Sequence, residues 1–114
     1  MRMDLLKIVV KSLDDLLASD IKIFDMKGYS PLFDYMVLAT ADNERKANAM
    51  VKRVREEALE NGYDIKGIEG KDGSWILVDC KDIIVNIFNA ENRDYYGFDR
   101  LYGEVKQIDV KDIL

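Results

Sequence analysis

Two short stretches carry the side chains with most chemistry in them. The first holds Gly28, Ser30 and Asp34, with Asp25 just upstream. A Gly-x-Ser turn running into an Asp-x-Asp strand suits metal-assisted phosphoryl transfer, because two carboxylates together hold two metal ions against a triphosphate. Here Met36 stands where the second strand carboxylate belongs, and Ser30 precedes Pro31 instead of opening a helix. One carboxylate does not hold a two-metal site, so Asp34 reads as a strand-entry or loop-capping residue. A metal-dependent nucleotidyltransferase or nucleotide-binding protein using Asp25 and Asp34 with Mg²⁺ is the alternative function. The chain of 114 residues contains no histidine. That excludes Ser-His and Cys-His pairs, imidazole metal ligands and imidazole pH switching. The single thiol, Cys80, follows Asp79, whose charge raises a thiol pKa and weakens the nucleophile. Gly67, Gly70 and Gly73 have the wrong spacing for a phosphate loop. The expectation is a binding protein, not an enzyme, with no cofactor, no metal and no catalytic residues.

The second stretch is Arg93-Asp94-Tyr95-Tyr96, the densest group of interaction-capable side chains. Tyr and Arg anchor interfaces because they bury a large area at modest entropic cost and still hydrogen-bond. The same residues would equally serve inside the molecule, with Arg93 paired to a carboxylate and the tyrosines packed on a sheet edge.

These residues need elements to hold them. Behind Asp4, Leu5, Leu6, Val9, Leu13, Leu16 and Leu17 recur at helical spacing, which predicts a first helix ending near Ser19. Residues 21–25 predict a short strand, and the continuous apolar run from Tyr35 to Thr40 predicts the central one. Asp42 or Asn43 caps a second helix to about Asn61, with Gly62 as its stop. A weak extended segment spans 63–69, a turn spans 70–73, and Trp75–Asp79 with Ile83–Phe88 form a hairpin. An aromatic and charged segment follows at 92–102, and the last dozen residues read as a loosely held tail. The sum is an α/β two-layer domain with a mixed sheet of about five strands and helices mainly on one face.

Strand alternation divides the hairpin. Ile76, Val78, Cys80, Ile83, Val85 and Ile87 form the face beneath the helices. Trp75, Leu77, Asp79, Ile84, Asn86 and Phe88 form the other, a mixture that resembles the centre of a protein interface. Either a partner covers that face, or segment 92–102 or a terminal helix does.

Charge separates the partners. The net charge is −5, and residues 61–104 hold nine acids against five bases. An acidic half repels phosphate backbones and favours a basic protein. Nucleic-acid binding is not expected, and no apolar run is long enough for a membrane span. A lone cysteine fits a reduced, cytoplasmic location.

In order along the chain, Ser30-Pro31, Asp34-Tyr35-Met36-Val37-Leu38-Ala39-Thr40, Glu69-Gly70, Trp75-Ile76-Leu77-Val78-Asp79, Asp82-Ile83-Ile84-Val85-Asn86-Ile87-Phe88 and Arg93-Asp94-Tyr95-Tyr96 resemble the ribosome silencing factor, or Iojap-like, family. The resemblance covers about 4–102 of a single domain spanning 1–114. It implies a nucleotidyltransferase-like fold without the catalytic carboxylates, in agreement with Met36. It also implies a repressor of translation under nutrient limitation. Such a protein binds the large ribosomal subunit through the basic universal protein number fourteen and sterically blocks joining of the small subunit. The expected form is a monomer on the ribosome, and a third reading is a homodimer that buries the hairpin face on itself when free. Combined with the open hairpin face, the expected contact set is Trp75, Asp79, Asn86, Phe88, Glu91, Arg93, Asp94, Tyr95, Tyr96 and Asp99. Asn86 replaces the family's usual histidine, and Phe98-Asp99-Arg100-Leu101-Tyr102 replaces its Leu-Glu-x-Leu-Trp.

Overall fold

A computed structural model describes residues 4–70 and 72–114, so Lys71 of the expected 70–73 turn lies outside the described residues. Helix α1 spans Leu5–Asp15, and Asp4 caps it by accepting from Leu6 N at 2.8 Å. Strand β1 is Ser19–Asp25 and β2 is Tyr35–Thr40. Helix α2 spans Glu44–Glu60, and of the two candidate caps Asn43 serves, accepting from Lys46 N at 2.8 Å. Strands β3 (Gly67–Glu69), β4 (Trp75–Asp79) and β5 (Ile83–Phe88) follow. Then come α3 (Ala90–Tyr96), α4 (Phe98–Leu101), β6 (Gln107–Ile108) and α5 (Val110–Ile113).

The six strands lie in the order β3-β4-β5-β2-β1-β6, with β2 and β5 parallel and every other pair antiparallel. The fold is therefore a mixed α/β sheet of six strands. The sixth comes from the expected tail. Gln107 and Ile108 pair with Phe24 and Ile23, and Ile108, Val110 and Ile113 pack on the helix-side core, so apolar burial holds those residues.

Helices α1 and α2 cover one face, above a core that includes Val9, Leu13, Ile23, Val37, Met50, Val54, Val78, Val85 and Ile87. Central β2 has Met36, Val37, Leu38 and Ala39 all buried, which is why its apolar run does not alternate. Helix α1 ends four residues earlier than expected. Leu17 is not on its apolar stripe: it is 71% exposed and sits at φ 61°, in the left-handed position that closes the helix. Ala18 N donates to Leu13 O and Leu17 N to Asp14 O across that closure.

The opposite face carries a second core of Phe24, Met26, Met36, Leu38, Phe88 and Val105, with Phe33, Trp75, Phe98 and Tyr102 against it. Segment α3–α4 folds over this face at the Thr40–Phe88 end of the sheet, so the chain covers about half of the face itself. Gly97, at φ 62°, breaks the path between α3 and α4, and a Cβ there would lie 2.5 Å from Arg100 Nη2.

Arg93 fastens the segment down. Although only 7% exposed, it donates from Nε to Asp99 Oδ2 at 2.8 Å, from Nη2 to Asp99 Oδ1 at 3.0 Å and from Nη1 to Thr40 Oγ1 at 3.0 Å. Asp20 stands 3.6 Å from its Nη2, and Lys22 Nζ reaches Asp99 at 3.0 Å. The hydrogen bonds from Arg93, and secondarily Lys22, hold the Asp99 carboxyl well below the usual carboxylate range despite partial burial.

Two stability measurements test this account. Leu17→Gly relieves the left-handed strain without removing buried area and raises unfolding stability by about 0.5–1 kcal/mol in denaturant titration. Asp99→Asn lowers it by about 2 kcal/mol near neutrality, because a buried guanidinium loses its charged partner. Since the folded carboxyl has the lower pKa, its stabilisation is complete above the unfolded value of about 4 and fades as pH falls below it. The gap between wild type and Asp99→Asn narrows in that acid range, and a gap constant down to pH 2 contradicts the assignment.

Candidate functional site

The uncovered half of the second face is set by hairpin register. Trp75 faces Phe88, Leu77 faces Asn86 and Asp79 faces Ile84, while on the outer side Glu69 faces Leu77 and Gly67 faces Asp79. Trp75, Leu77, Asp79 and Ile84 are half-buried, with only Trp75 of the four in ring contact with α3–α4, and Glu69 is exposed. An apolar strip thus runs beside two carboxylates.

Trp75 links the covered and open halves. Its ring lies 5.1 Å from Phe88 in a stacked arrangement, 4.5 Å from Tyr96, and 5.7 Å edge-on from Phe98. Its Nε1 donates to Asn86 Oδ1 at 3.0 Å. A buried amide in a sheet needs such a partner, and the indole supplies it. The lip of the cluster is aromatic as well. Tyr95 is 76% exposed and Tyr96 44%, in edge contact at 5.0 Å, with Glu91 and Asp94 exposed on the same short helix. Helix α3 is started by Asn89, which accepts from Asn92 N.

The ten expected contact residues therefore separate. Trp75, Asp79, Tyr95, Tyr96, Glu91 and Asp94 are at the surface. Asn86 and Phe88 are not: they are 2% and 0% exposed, because Phe98 and Tyr96 close over Phe88 and Trp75 over Asn86. Arg93 is likewise withdrawn, and Asp99, about a quarter exposed, is occupied by Arg93 and Lys22. Asn86, Phe88 and Arg93 lie beneath the surface, and Asp99 lies partly exposed at its edge. The expected set lacks Leu77, Ile84 and Glu69. Leu77 and Ile84 were on the correct face by alternation, whereas Glu69 joins it only through the pairing of β3 with β4.

The candidate catalytic groups lie elsewhere. Asp25 accepts from Lys27 N at 3.0 Å, and Asp34 is exposed at the start of β2. Lys27 Nζ donates to Tyr35 Oη at 2.8 Å, which raises its pKa, with weaker contributions from Asp25 and Asp34. The two carboxylates thus flank a lysine ammonium. Among the described residues no three His, Cys, Asp or Glu side chains converge on a point that would hold a metal ion. Cys80 is buried under the helices, and burial, followed by the charge of Asp79, pushes its thiol up to about 12. Among the described residues no helix is long and apolar enough to cross a membrane.

Residues 2–114 match the family described as ribosomal silencing factor during starvation. Ribosomal silencing factor RsfS of Bacillus subtilis is 34% identical over 107 residues, 93% of this chain and 91% of that protein. A crystal structure of a Chromobacterium violaceum protein superposes with a TM-score of 0.84 at 34% identity, covering 89% of this chain and 88% of the other. One from Bacillus halodurans gives 0.80 at 28% identity, covering 92% and 96%. With the motifs spread over strands β2, β3, β4 and β5 of one six-stranded sheet and over helix α3, the chain belongs to the ribosomal silencing factor family.

Proposed function

We propose that this protein represses translation under nutrient limitation by occupying the large ribosomal subunit, so that the small subunit is sterically prevented from joining. The observation that carries the reading is the open half-face: Trp75, Leu77 and Ile84 half-exposed beside Tyr95 and Tyr96, within a rim of Glu69, Asp79, Glu91 and Asp94. Exposed tyrosines around a half-buried tryptophan form the kind of anchor on which protein interfaces concentrate their energy. The acidic rim selects a basic protein surface and repels bare phosphate. Universal protein number fourteen of the large subunit is the partner this reading names.

The mechanism is occlusion without catalysis. A rigid domain seated by one face carries its whole width, α1 and α2 included, into the space beyond, and no bond need be made or broken. The protein acts in the cytoplasm as one domain over 1–114. It is a monomer on the ribosome, and the same half-face closes a homodimer when no ribosome is present.

Sedimentation with isolated large subunits tests the reading. The protein co-sediments with them and lowers the yield of joined ribosomes when small subunits are added; co-sedimentation without an effect on joining defeats occlusion. Tyr95→Ala leaves the fold intact, since its side chain is three-quarters exposed, and weakens subunit binding about fivefold to tenfold. An unchanged affinity removes Tyr95 from the contact.

A further inference from the structure

At the outer end of the open half-face, Glu69, Gly70, Trp75 and Leu77 line a hollow of about 280 Å³. We propose that this hollow is a socket for one long cationic side chain, arginine fitting best, carried by the protein partner; the proposal rests on the reading above and assigns a chemical role to one part of its surface.

The lining selects the occupant. Leu77 and the part of Trp75 that lines the hollow form apolar walls, and Glu69, directly across from Leu77 on β3, places a carboxylate at the mouth. Asp79 lies two residues along β4 on the same face, beside Gly67, which has no side chain to fill the space. Among the described residues neither Glu69 nor Asp79 forms an ion pair. An apolar side chain would strip water from Glu69 and give nothing back, and an anion would be repelled. A long basic side chain meets both demands, with its methylene stem along Leu77 and its charged head against Glu69. A planar guanidinium also lies flat on an indole and engages a carboxylate with two donors, which an ammonium does not.

The backbone keeps the hollow open. Gly70 holds φ 124°, and a Cβ there would fall 2.5 Å from the carbonyl oxygen of Trp75. Only glycine turns the chain this close to Trp75, and it leaves the rim without a side chain.

Large ribosomal subunits titrated against wild-type, Glu69→Gln and Glu60→Gln protein at several salt concentrations test the socket. Both substituted residues are exposed, on edge strand β3 and at the end of α2, so each variant folds. The expected result is about a tenfold weaker affinity and a shallower salt dependence for Glu69→Gln, with Glu60→Gln like wild type. Unchanged affinity in Glu69→Gln overturns the socket and leaves ribosome binding standing. An equal loss in both variants also overturns it, because the charge of the whole chain would then be responsible. Failure of the wild-type protein to bind overturns the functional reading and the socket together.

Discussion

A guanidinium shut away from water must have its donors met, and Arg93 meets them with three segments that are distant in sequence. Thr40 at the end of β2, Asp20 in β1 and Asp99 in α4 converge on it. That convergence decides where α3–α4 lies, hence which half of the second face is closed and which half is left. Phe98 and Tyr102 then pack over Phe24 and Phe88, and Trp75 becomes the boundary between a sealed aromatic core and an open surface. Replacing the network with apolar groups would fill the same volume, but would not specify the same position for the segment.

Much of the fold was legible because its signals were periodic. Alternation in β4 and β5 assigned Ile76, Val78, Cys80, Ile83, Val85 and Ile87 to the helix side, where they are found. The unbroken apolar run of β2 marked the central strand. What periodicity does not carry is the destination of a short aromatic segment. Tyr95, Tyr96 and Phe98 have the same composition whether they face a partner or their own sheet, and the structure divides them, with Tyr95 outside and Phe98 within. Leu17 departs from the expectation for a local reason: it continues the apolar spacing of α1 two residues past the helix end. The tail was misjudged because β6 is two residues long, below the length at which alternation exists.

The candidate surface was legible as a face, and which of its side chains are exposed was less so. Asn86 and Phe88 were assigned to the correct side of the hairpin, but side is not exposure, and the covering segment removed both from the surface. Glu69 shows the converse. Its own strand is three residues long and without a pattern, so only the pairing of Gly67 with Asp79 and Glu69 with Leu77 brings it beside Trp75. Of the carboxylates whose spacing suggests phosphoryl transfer, Asp25 accepts from the backbone N of Lys27, and both favour the charged form of the Lys27 ammonium, which donates to the Tyr35 hydroxyl.

The two outer strands of the sheet are very short, three residues in β3 and two in β6. An exposed strand edge is a template on which other chains nucleate cross-β aggregation, and the length of unpaired backbone sets how well it templates. The outermost strands present only short templates, and the chain carries a net charge of −5. Stacking of copies edge to edge into a long ladder is therefore disfavoured. The same short outer strands work against cross-β aggregation of concentrated protein.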